Sequence, residues 1–401
     1  MRILVITQYF WPENFRVNDL CLELKNRGHA VSILTGKPNY PNGNFFNGYS
    51  FFSRRTDYWN GLKIYRVPLL PRGNGSGFNL FYNYFSFTFF SCLRIFFINE
   101  KFDKIIVYQL SPGTIGFPAL VAKNKFKAKL FFYIQDLWPE SIIDASGLNS
   151  KIIIKIIDKM MNWFYYYSNE IWVQSDDFKH FLKNKGVDIG KIHFIPNTVE
   201  VFYKPLEFSK KHSELMPNGF NIVFAGNIGK AQNIDTLIDA MKIINDKRLK
   251  VNLVILGNGR EMNYIKEKIF KYNLNHCIFL LGTYPSVEMP YFFSCADALI
   301  VSLKKSTIFK ITIPSKIQSY LACGKPIIGS IEGVGSKIII DSKSGFCSNP
   351  NDEIGLSFNI QKMYLTSTKE RINMGINARN YFLNNFERVD IYNRIVNRLN
   401  N

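Results

Sequence analysis

Residues 312–326, with the sequence TIPSKIQSYLACGKP, combine residue types that can hold a phosphate group with the signals that start and stop a helix. Pro314 fits the first turn of a helix because its missing N–H would have no partner there anyway. Gly324, followed closely by a proline, fits the end of the helix. We therefore expect a short helix here, whose positive end would favour an anion.

The polar side of this helix carries two hydroxyl groups and one ammonium group. They belong to Ser315, Ser319 and Lys316. Together with the free backbone N–H groups of a helix start, these side chains form an arrangement that attracts phosphate. The alternative is a short buried helix before a core strand, because the apolar residues of the segment fall on one side at helical spacing.

A second candidate phosphate loop, GNIGKAQ at residues 226–232, lies between an apolar strand and a predicted helix. Gly226 and Gly229 let the backbone approach a ligand closely, and Lys230 adds a positive charge. A single G-x-x-G pattern is a weak signal. Two candidate phosphate loops in the same half of the chain make the prediction of an anion site stronger.

Three charged residues in the first half follow predicted strands. The order strand, loop, helix, strand at the start of the chain is the opening of a doubly wound parallel sheet, whose ligands gather at the carboxyl ends of the strands. Glu13 and Arg16 lie in the loop after the first strand, and Asp136 follows a strand at 130–134. We expect them to face a ligand cleft, although solvated loop charges are the alternative for Glu13 and Arg16.

The succession of strands and helices restarts near residue 221, and a 401-residue chain with 47% hydrophobic residues can bury two cores. The predicted fold class is therefore α/β with two Rossmann-like domains. We place the first domain at 1–200 and the second at 201–380. The polar segment 204–219 is predicted to link them, and a C-terminal helix at 381–401 is predicted to pack back on the first domain.

The net charge of +19 suits an anionic partner such as a phosphorylated substrate, an acidic lipid surface or nucleic acid. Nucleic acid is disfavoured because the sequence contains no recognisable nucleic-acid-binding module. The six cysteines form no C-x-x-C pair, which favours reduced thiols in a cytoplasmic protein and gives no sign of a metal site. The N-terminal apolar run is too short for a signal peptide and is predicted to be a buried strand.

Residues 78–98 are the most aromatic stretch of the chain. Arg94 alone would cost about 2.5 to 3.5 kcal/mol inside a bilayer, so we expect a helix that is buried on one face and shows Phe and Tyr on another. Six lysines are expected nearby: Lys101, Lys104, Lys123, Lys125, Lys127 and Lys129. Aromatic residues beside lysines can rest on an anionic membrane surface. An ordinary core helix with solvated lysines nearby is an equal alternative.

The motifs of the two halves, taken together, resemble the retaining glycosyltransferases of family 4, which have the two-domain GT-B fold. In chain order they are WPE (11–13), GHAV (28–31), PNYPNG (38–43), DLWPES (136–141), VQS (173–175), IPN (195–197), GNIG (226–229) and ACGKP (322–326). The resemblance covers essentially the whole chain. It is closest to the subgroup of L-fucosamine transferases of O-antigen and capsule synthesis, for which DLWPES and PSKIQSY (314–320) are characteristic.

This resemblance implies that the second domain binds a UDP-sugar donor, that the first binds an acceptor, and that catalysis takes place in a cleft between them. The residues with implied catalytic roles are Asp136, Lys230 and Lys316. The implied donor-binding residues are Gly226, Asn227, Gly229, Gly282, Thr283, Tyr284, Pro314, Ser315 and Ser319. Glu13 and Arg16 would lie on the acceptor side. No metal or other cofactor is expected, because lysines and a helix terminus supply the charge that stabilises the leaving diphosphate.

The sequence departs from the family pattern at several positions. The two glutamates that the family spaces as E-x7-E would fall at Ile311 and Ser319. The Arg and Lys of the family's glycine loop would fall at Asn227 and Gln232. The candidate replacements are Lys230, Lys316 and Ser319. Gln135, next to Asp136, stands where the family has a histidine.

The leading hypothesis is a cytoplasmic glycosyltransferase, peripheral on the inner face of the bacterial cell membrane. It would move an amino sugar, N-acetyl-L-fucosamine being the first candidate, from UDP to a polyprenyl-diphosphate-linked oligosaccharide. The missing glutamates suggest an alternative, a non-catalytic member that retains the fold as a binding or scaffold subunit of a polysaccharide synthesis complex. Release of UDP from candidate donors would distinguish the two.

Overall fold

A computed structural model describes residues 1–146 and 149–401 of the chain. The contacts within it divide the chain into two compact units. The first unit is Met1–Pro196 together with Tyr392–Asn401, and the second is Asn197–Ile391.

The strands of the first unit are β1 (Arg2–Ile6), β2 (Ala30–Gly36), β3 (Thr56–Trp59), β4 (Leu62–Val67), β5 (Lys104–Gln109), β6 (Lys129–Ile134), β7 (Glu170–Val173) and β8 (Ile192–Phe194). Its helices are α1 (Arg16–Asn26), α2 (Gly77–Phe96), α3 (Gly116–Phe126), α4 (Glu140–Ser146), α5 (Lys151–Tyr167) and α6 (Asp176–Asn184). The strands form one sheet in the order β3-β4-β2-β1-β5-β6-β7-β8. Every neighbouring pair is parallel except β3 with β4.

The central strands of this sheet are apolar because both of their faces are covered. In β1, β5 and β6 every residue after the first is buried, as expected for parallel strands inside an α/β unit. The chain order reverses between β1 and β5. The loops after these two strands therefore border the switch point at which doubly wound sheets bind their ligands.

The strands of the second unit are β9 (Phe220–Ala225), β10 (Val251–Leu256), β11 (Ile278–Gly282), β12 (Ala298–Ser302), β13 (Ile327–Ser330) and β14 (Gly345–Ser348). Its helices are α7 (Lys210–Ser213), α8 (Ile234–Asp246), α9 (Met262–Lys271), α10 (Met289–Ser294), α11 (Thr307–Ile311), α12 (Ser315–Ala322), α13 (Val334–Asp341), α14 (Glu353–Leu365) and α15 (Thr368–Phe386), and α16 (Arg388–Asn400) follows. The sheet order is β11-β10-β9-β12-β13-β14 and all pairs are parallel. The switch point lies between β9 and β12.

The prediction of two doubly wound α/β sheets is confirmed. The predicted strand at 130–134 is observed as β6, which begins one residue earlier. The sequence analysis does not predict the hairpin β3–β4 or helix α5. Strand β3 is short and lies at the edge of the sheet, so it lacks the apolar run that marks the central strands.

The prediction that 204–219 links the two domains is wrong, because the segment belongs to the second unit. Met216 is buried in the core of that unit. His212 is buried too, stacks on the Tyr291 ring at 5.2 Å and meets the Phe292 ring edge-on at 4.8 Å. Met216 and His212 therefore attach this segment to the second unit, although its composition is mostly polar.

The boundary at the C-terminus also differs from the prediction. Only residues 392–401 return to the first unit, whereas 381–391 belong to the second. Phe382 and Phe386 explain the difference, because both are buried in the core of the second unit. In the returning segment, the Tyr392 hydroxyl donates to Asp19 at 2.8 Å, and Arg398 bonds both carboxylate oxygens of Glu170 at 2.7 and 3.0 Å.

Candidate functional site: two clusters at the strand ends

In the second unit, the loops after β9, β10 and β11 interlock through their backbones. The Gly226 N–H donates to the Leu256 carbonyl at 2.8 Å, and the Gly257 N–H donates to the Gly282 carbonyl at 2.7 Å. The Ile228 N–H reaches the Asn258 carbonyl at 2.9 Å. These bonds tie three loops together at the carboxyl ends of three adjacent strands.

Two of these glycines cannot be replaced without strain. The φ angle of Gly226 is +145° and that of Gly257 is +144°, which is backbone that L side chains rarely adopt. A Cβ atom on Gly257 would also lie 1.9 Å from the Gly226 carbonyl oxygen. Glycine is therefore required at Gly257 by both the backbone angle and the close approach of the loops.

Lys316 reaches this glycine loop from the first turn of α12. A Cβ atom on Gly226 would lie 2.6 Å from Lys316 Cε, so the glycine makes room for the lysine. The ammonium group donates to the Gln232 side chain and lies 4.6 Å from the centroid of the Phe224 ring. Burial lowers the pKa of Lys316 to about 7, because removal from water disfavours the charged form.

Around Lys316, the start of α12 differs slightly from the prediction. Pro314 precedes the helix as its N-cap residue, with φ −64° and ψ 130°, and does not lie in the first turn. Ser319 is 8% exposed, and its hydroxyl donates to the Ser315 carbonyl at 3.3 Å. The other face of the helix is buried in the core through Ile317, Tyr320 and Leu321. The predicted helix and its two faces are thus observed.

Lys230 lies elsewhere. It begins a short 3-10 helix, is exposed, and lines a surface pocket of about 260 Å³ together with Gly229. Asp235 and Glu261 also line this pocket, whereas Lys316 does not. The structure therefore brings Lys316 to the Gly226 loop and places Lys230 beside two carboxylates.

The remaining predicted donor residues surround the interlocked loops. Asn227 is exposed in the loop after β9, and Thr283 is exposed after β11. The Tyr284 ring packs on Phe292, with 4.6 Å between the ring centroids. Backbone groups of 282–284 are thereby fixed next to the Gly257 loop.

In the first unit, Asp136 follows β6 and is partly buried. The Ser111 hydroxyl donates to Asp136 Oδ2 at 3.2 Å, and Trp138 Nε1 donates to the Ser111 hydroxyl at 3.3 Å. Burial raises the pKa of the Asp136 carboxyl. A carboxylate with a raised pKa is a better proton acceptor, which is useful for a general base.

Sequence reasoning missed the side chains that continue from Asp136. The Tyr84 side chain interacts with Ser111 and with the buried Tyr9, and Arg72 Nη1 donates to the Tyr9 hydroxyl at 2.7 Å. These groups form one chain, Arg72–Tyr9–Tyr84–Ser111–Asp136. Tyr9 and Ser111 follow β1 and β5, so their place next to the switch point is the signal that would have found them.

Glu13 is not exposed to a ligand as predicted. Its side chain is 2% exposed, and both carboxylate oxygens accept backbone N–H groups: Asn39 at 2.9 Å, Tyr40 at 2.8 Å and Phe10 at 3.3 Å. Burial raises its pKa to about 7. Glu13 therefore fixes the loop after β2. Arg16 begins α1 and is partly exposed.

The predicted aromatic helix is observed as α2, and it is buried on one face only. Phe87 and Ile95 are fully buried, whereas Phe81, Phe85 and Phe89 are 50–62% exposed and stack on one another along the helix. Among the described residues, no helix is long and apolar enough to cross a membrane.

Helix α5 presents a second exposed apolar face. Its exposed apolar residues are Ile152, Ile153, Ile156, Trp163, Tyr166 and Tyr167. Lys151, Lys155 and Lys159 are exposed on the same helix, and the helical spacing places them along one side of the apolar stripe. Of the lysines predicted near α2, Lys123 donates to the Tyr167 carbonyl and Lys125 to the carbonyls of Ile95, Phe96 and Ile98. Those two lysines cap helices.

Two family models match the chain. The model for group 1 glycosyl transferases matches residues 207–381, and the glycosyl transferase 4-like domain matches residues 14–198. Together they cover most of both units.

Curated relatives are distant. An uncharacterized glycosyltransferase of Methanocaldococcus jannaschii is 28% identical over 193 residues, which are 45% of this chain and 46% of the relative. An uncharacterized 41.2 kDa protein in the cps region of Klebsiella pneumoniae is 22% identical, over 64% of this chain and 60% of the relative. The matches thus span about half the length of these proteins.

Solved structures share the fold over nearly the whole chain. Sucrose-phosphate synthase from Thermosynechococcus elongatus has a TM-score of 0.74 at 16% identity, covering 99% of this chain and 97% of that one. Anabaena HepE in complex with UDP has a TM-score of 0.71 at 15% identity, with full coverage of both chains (100% each). WaaG, a glycosyltransferase involved in lipopolysaccharide biosynthesis, has a TM-score of 0.67 at 13% identity and covers 95% of each chain.

Proposed function

Because the chain belongs to the glycosyltransferases of the GT4/GT-B type, we propose that it transfers an amino sugar from a UDP-sugar to a polyprenyl-diphosphate-linked oligosaccharide in surface polysaccharide synthesis. N-acetyl-L-fucosamine is the first candidate for the sugar, and the anomeric configuration is retained. The observation that carries the proposal is the approach of Lys316 to the Gly226 loop at a helix start.

In the proposed reaction, Lys316 and the first backbone N–H groups of α12 bind the donor diphosphate. The leaving UDP carries more negative charge than the bound donor, so this positive site stabilises the transition state. Lys316 contacts Gln232, which stands where the family pattern has a lysine. Lys316 therefore places a positive charge next to Gln232, the position at which the family pattern has a lysine. No metal ion or other cofactor is needed for this role.

The acceptor side of the proposal is built on Asp136. Its raised pKa and its bond to Ser111 suit a group that takes a proton from the acceptor hydroxyl as the new glycosidic bond forms. The proton of the acceptor oxygen moves to Asp136, and the sugar moves from UDP to that oxygen. Lys230, beside Asp235 and Glu261, is a weaker candidate for a direct catalytic role than Lys316.

A contact between the first unit and the membrane would bring Asp136 close to the lipid-linked acceptor. Helix α2 offers a stacked aromatic stripe, and α5 offers apolar residues flanked by exposed lysines. An amphipathic surface of this kind binds anionic lipid reversibly, through apolar burial and charge attraction together. The protein would then act as a peripheral protein on the cytoplasmic face of the membrane.

A second candidate function is a non-catalytic binding subunit. It is favoured by one observation, the absence of a carboxylate at Ile311 in α11 and at Ser319 in α12. Such a subunit would bind UDP-sugars or oligosaccharides without consuming the donor.

A donor screen tests the choice between the two. The purified protein is incubated with UDP-activated amino sugars and a farnesyl-diphosphate-linked sugar acceptor, and UDP release and lipid-linked product are measured. The transferase proposal expects stoichiometric UDP and product with at least one donor, and a strong decrease in the Lys316→Ala variant. Donor binding without UDP release or product, across the whole screen, supports the binding subunit and contradicts transfer.

A further inference from the structure

Arg72 is a fixed positive charge with no carboxylate partner among the described residues. Its guanidinium carbon lies 5.7 Å from the centroid of the Tyr9 ring and 5.1 Å from that of Tyr40. Nη1 donates to the Tyr9 hydroxyl at 2.7 Å, and that is the only hydrogen bond of the guanidinium within the described part of the chain. An arginine carries five N–H donors in a planar fork that matches phosphate, so most of its donors remain available.

The PNYPNG motif accounts for the position of Arg72. The Arg72 N–H donates to the Asn39 side chain at 3.1 Å, and the Gly73 N–H donates to the Gly43 carbonyl at 3.0 Å. A Cβ on Gly43 would lie 1.8 Å from the Gly73 carbonyl oxygen, so the two segments pack backbone against backbone. The loop after β2 therefore holds both Arg72 and the Tyr40 ring that lies against it.

Glu13 stabilises this arrangement through hydrogen bonds to the backbone of the loop after β2. It accepts the backbone N–H groups of Asn39 and Tyr40, and both of these residues contact Arg72. Phe15 completes the aromatic cluster, with ring centroids 5.1 Å from Tyr9 and 5.3 Å from Tyr40. The carboxylate of Glu13 is thus used for positioning, and Arg72 is held rigidly without an ion pair of its own.

We propose that Arg72 is the centre of an anion site for the diphosphate of the lipid-linked acceptor, a site distinct from the donor diphosphate site at Lys316. The identity of the lipid-linked acceptor rests on the proposed function, whereas the chemistry of the site rests on the unpaired guanidinium. Its ligand is a diphosphate or phosphate monoester, bound by the Nε and Nη2 edge of Arg72.

The surroundings of Arg72 suit a molecule with a charged head, a sugar and a prenyl tail. The hydroxyl groups of Tyr9, Tyr84 and Ser111 connect Arg72 to Asp136. Arg72 also precedes α2, which begins five residues later and carries the exposed Phe78 and Phe81 in its first turns. A diphosphate at Arg72 would therefore lie next to the hydroxyl chain that leads to Asp136, and the start of α2 would offer exposed aromatic residues for the tail.

Binding is measured by calorimetry with UDP at saturation, so that the donor site is blocked. The probes are farnesyl diphosphate, farnesyl phosphate and inorganic diphosphate. Arg72→Gln is expected to weaken binding of farnesyl diphosphate about 10- to 100-fold, since it removes charge-assisted hydrogen bonds. Arg72→Lys should recover part of that loss, and Tyr9→Phe, which removes only the partner of Nη1, should have a smaller effect.

Arg55→Gln is the matched control, because it removes the same charge from an exposed position of the same unit. It should leave binding unchanged. If binding of inorganic diphosphate depends on Arg72 to the same degree, the site recognises the phosphate groups. If only farnesyl diphosphate binds, the ligand is the lipid-linked form. Both results support the site. Equal losses in Arg55→Gln and Arg72→Gln, or no loss in Arg72→Gln, overturn it.

The experiment also separates this site from the proposed transfer reaction. Binding that depends on Arg72 in a protein that releases no UDP retains the anion site and contradicts the transferase. Transfer with an acceptor KM that is unchanged in Arg72→Gln retains the transferase and overturns the anion site. A purely structural role of Arg72 predicts a lower melting temperature in Arg72→Gln with no recovery of binding in Arg72→Lys, and that result also counts against the site.

Discussion

Backbone atoms build the candidate site of the second unit, whereas side chains build that of the first. Three loops after β9, β10 and β11 interlock through N–H and carbonyl groups around glycines, and Lys316 enters from α12. In the first unit, five side chains from separate loops and from α2 form a chain of polar contacts that ends at Asp136.

This difference explains at which positions the chain can depart from the family's residue pattern. A loop held by its backbone keeps its shape when the side chains on it are replaced, so Asn227 and Gln232 can stand where the family has charged residues, provided that Lys316 supplies a charge. A chain of side-chain hydroxyls has no such tolerance, because removal of one partner leaves a buried polar group unpaired. We therefore expect substitutions to affect catalysis in the first unit and folding or donor binding in the second.

The largest effect is expected at Asp136. Asp136→Asn retains the size of the side chain but removes its ability to accept a proton, so kcat should decrease about 10²- to 10⁴-fold. UDP affinity should remain unchanged, because the proposed donor site lies in the other unit. Steady-state transfer assays and calorimetry with UDP measure the two quantities.

Asp103→Asn provides the control for this variant, since it removes an exposed carboxylate of the same unit. Full transfer by Asp136→Asn at saturating substrates would reduce Asp136 to a residue that stabilises its loop.

The second effect concerns the interlocked glycines. Gly257→Ala forces a strained φ and a contact with the Gly226 carbonyl, and we expect a loss of at least about 3 kcal/mol in stability. Gly282 also has a positive φ, +79°, but a Cβ atom at this position would meet nothing within 4 Å. Gly282→Ala should cost about 1 kcal/mol. Melting temperatures with and without UDP compare the two variants, and equal destabilisation would show that interlocking adds nothing beyond φ strain.

The sequence predicts the fold and the glycine loop after β9 well for a physical reason. Buried parallel strands are continuous apolar runs, and glycines mark places where two backbones meet, so both leave a local signal. The chain Arg72–Tyr9–Tyr84–Ser111–Asp136 leaves none, because its members are up to 127 residues apart in sequence and each is unremarkable in its own loop. The buried role of Glu13 and the anchoring of 204–219 by Met216 and His212 depend on tertiary contacts in the same way.

The third effect separates binding from stability at Lys316. Lys316→Met should weaken UDP binding about 10- to 100-fold, because it deletes a charge-assisted contact to phosphate. The ligand-free protein should melt no earlier than the wild type, since a desolvated ammonium group is replaced by an apolar side chain of similar length. Lys266→Met, at an exposed position of α9, should change neither property. Unchanged UDP affinity in Lys316→Met would exclude Lys316 from the donor site.

The fourth effect is the pH dependence of the same contact. Lys316 has a pKa of about 7 in the free protein, so it loses its proton as pH rises through that value. The bound diphosphate requires the charged form, and UDP affinity should therefore decrease about fivefold between pH 7 and pH 8. UDP affinity is measured over this pH range in the wild type and in Lys316→Met. The difference between the two profiles separates the effect of Lys316 from the protonation of UDP itself. Parallel pH profiles in the two proteins would contradict the assignment.

The smallest effects per residue are expected at the proposed membrane face of the first unit. Lys151, Lys155 and Lys159 are exposed beside the apolar stripe of α5, and each should contribute about 1 kcal/mol or less to binding of anionic lipid. Lys123 and Lys125 donate to backbone carbonyls at helix ends and should contribute less. Flotation with vesicles that contain anionic lipid, over a salt series, measures the loss in single, double and triple Lys→Gln variants of α5.

A triple variant of exposed lysines in the second unit, at Lys247, Lys266 and Lys271, removes the same total charge and serves as the control. If only net charge attracted the protein to the vesicles, both triple variants would lose binding equally. That result would contradict a specific membrane contact through α5. Binding by the wild type should weaken as salt rises, because exposed charges are screened beyond about 8 Å at physiological ionic strength. Retention on neutral vesicles at high salt would mean that the aromatic stripe of α2 inserts on its own, whereas absence of binding to anionic vesicles at low salt would show that neither helix meets lipid.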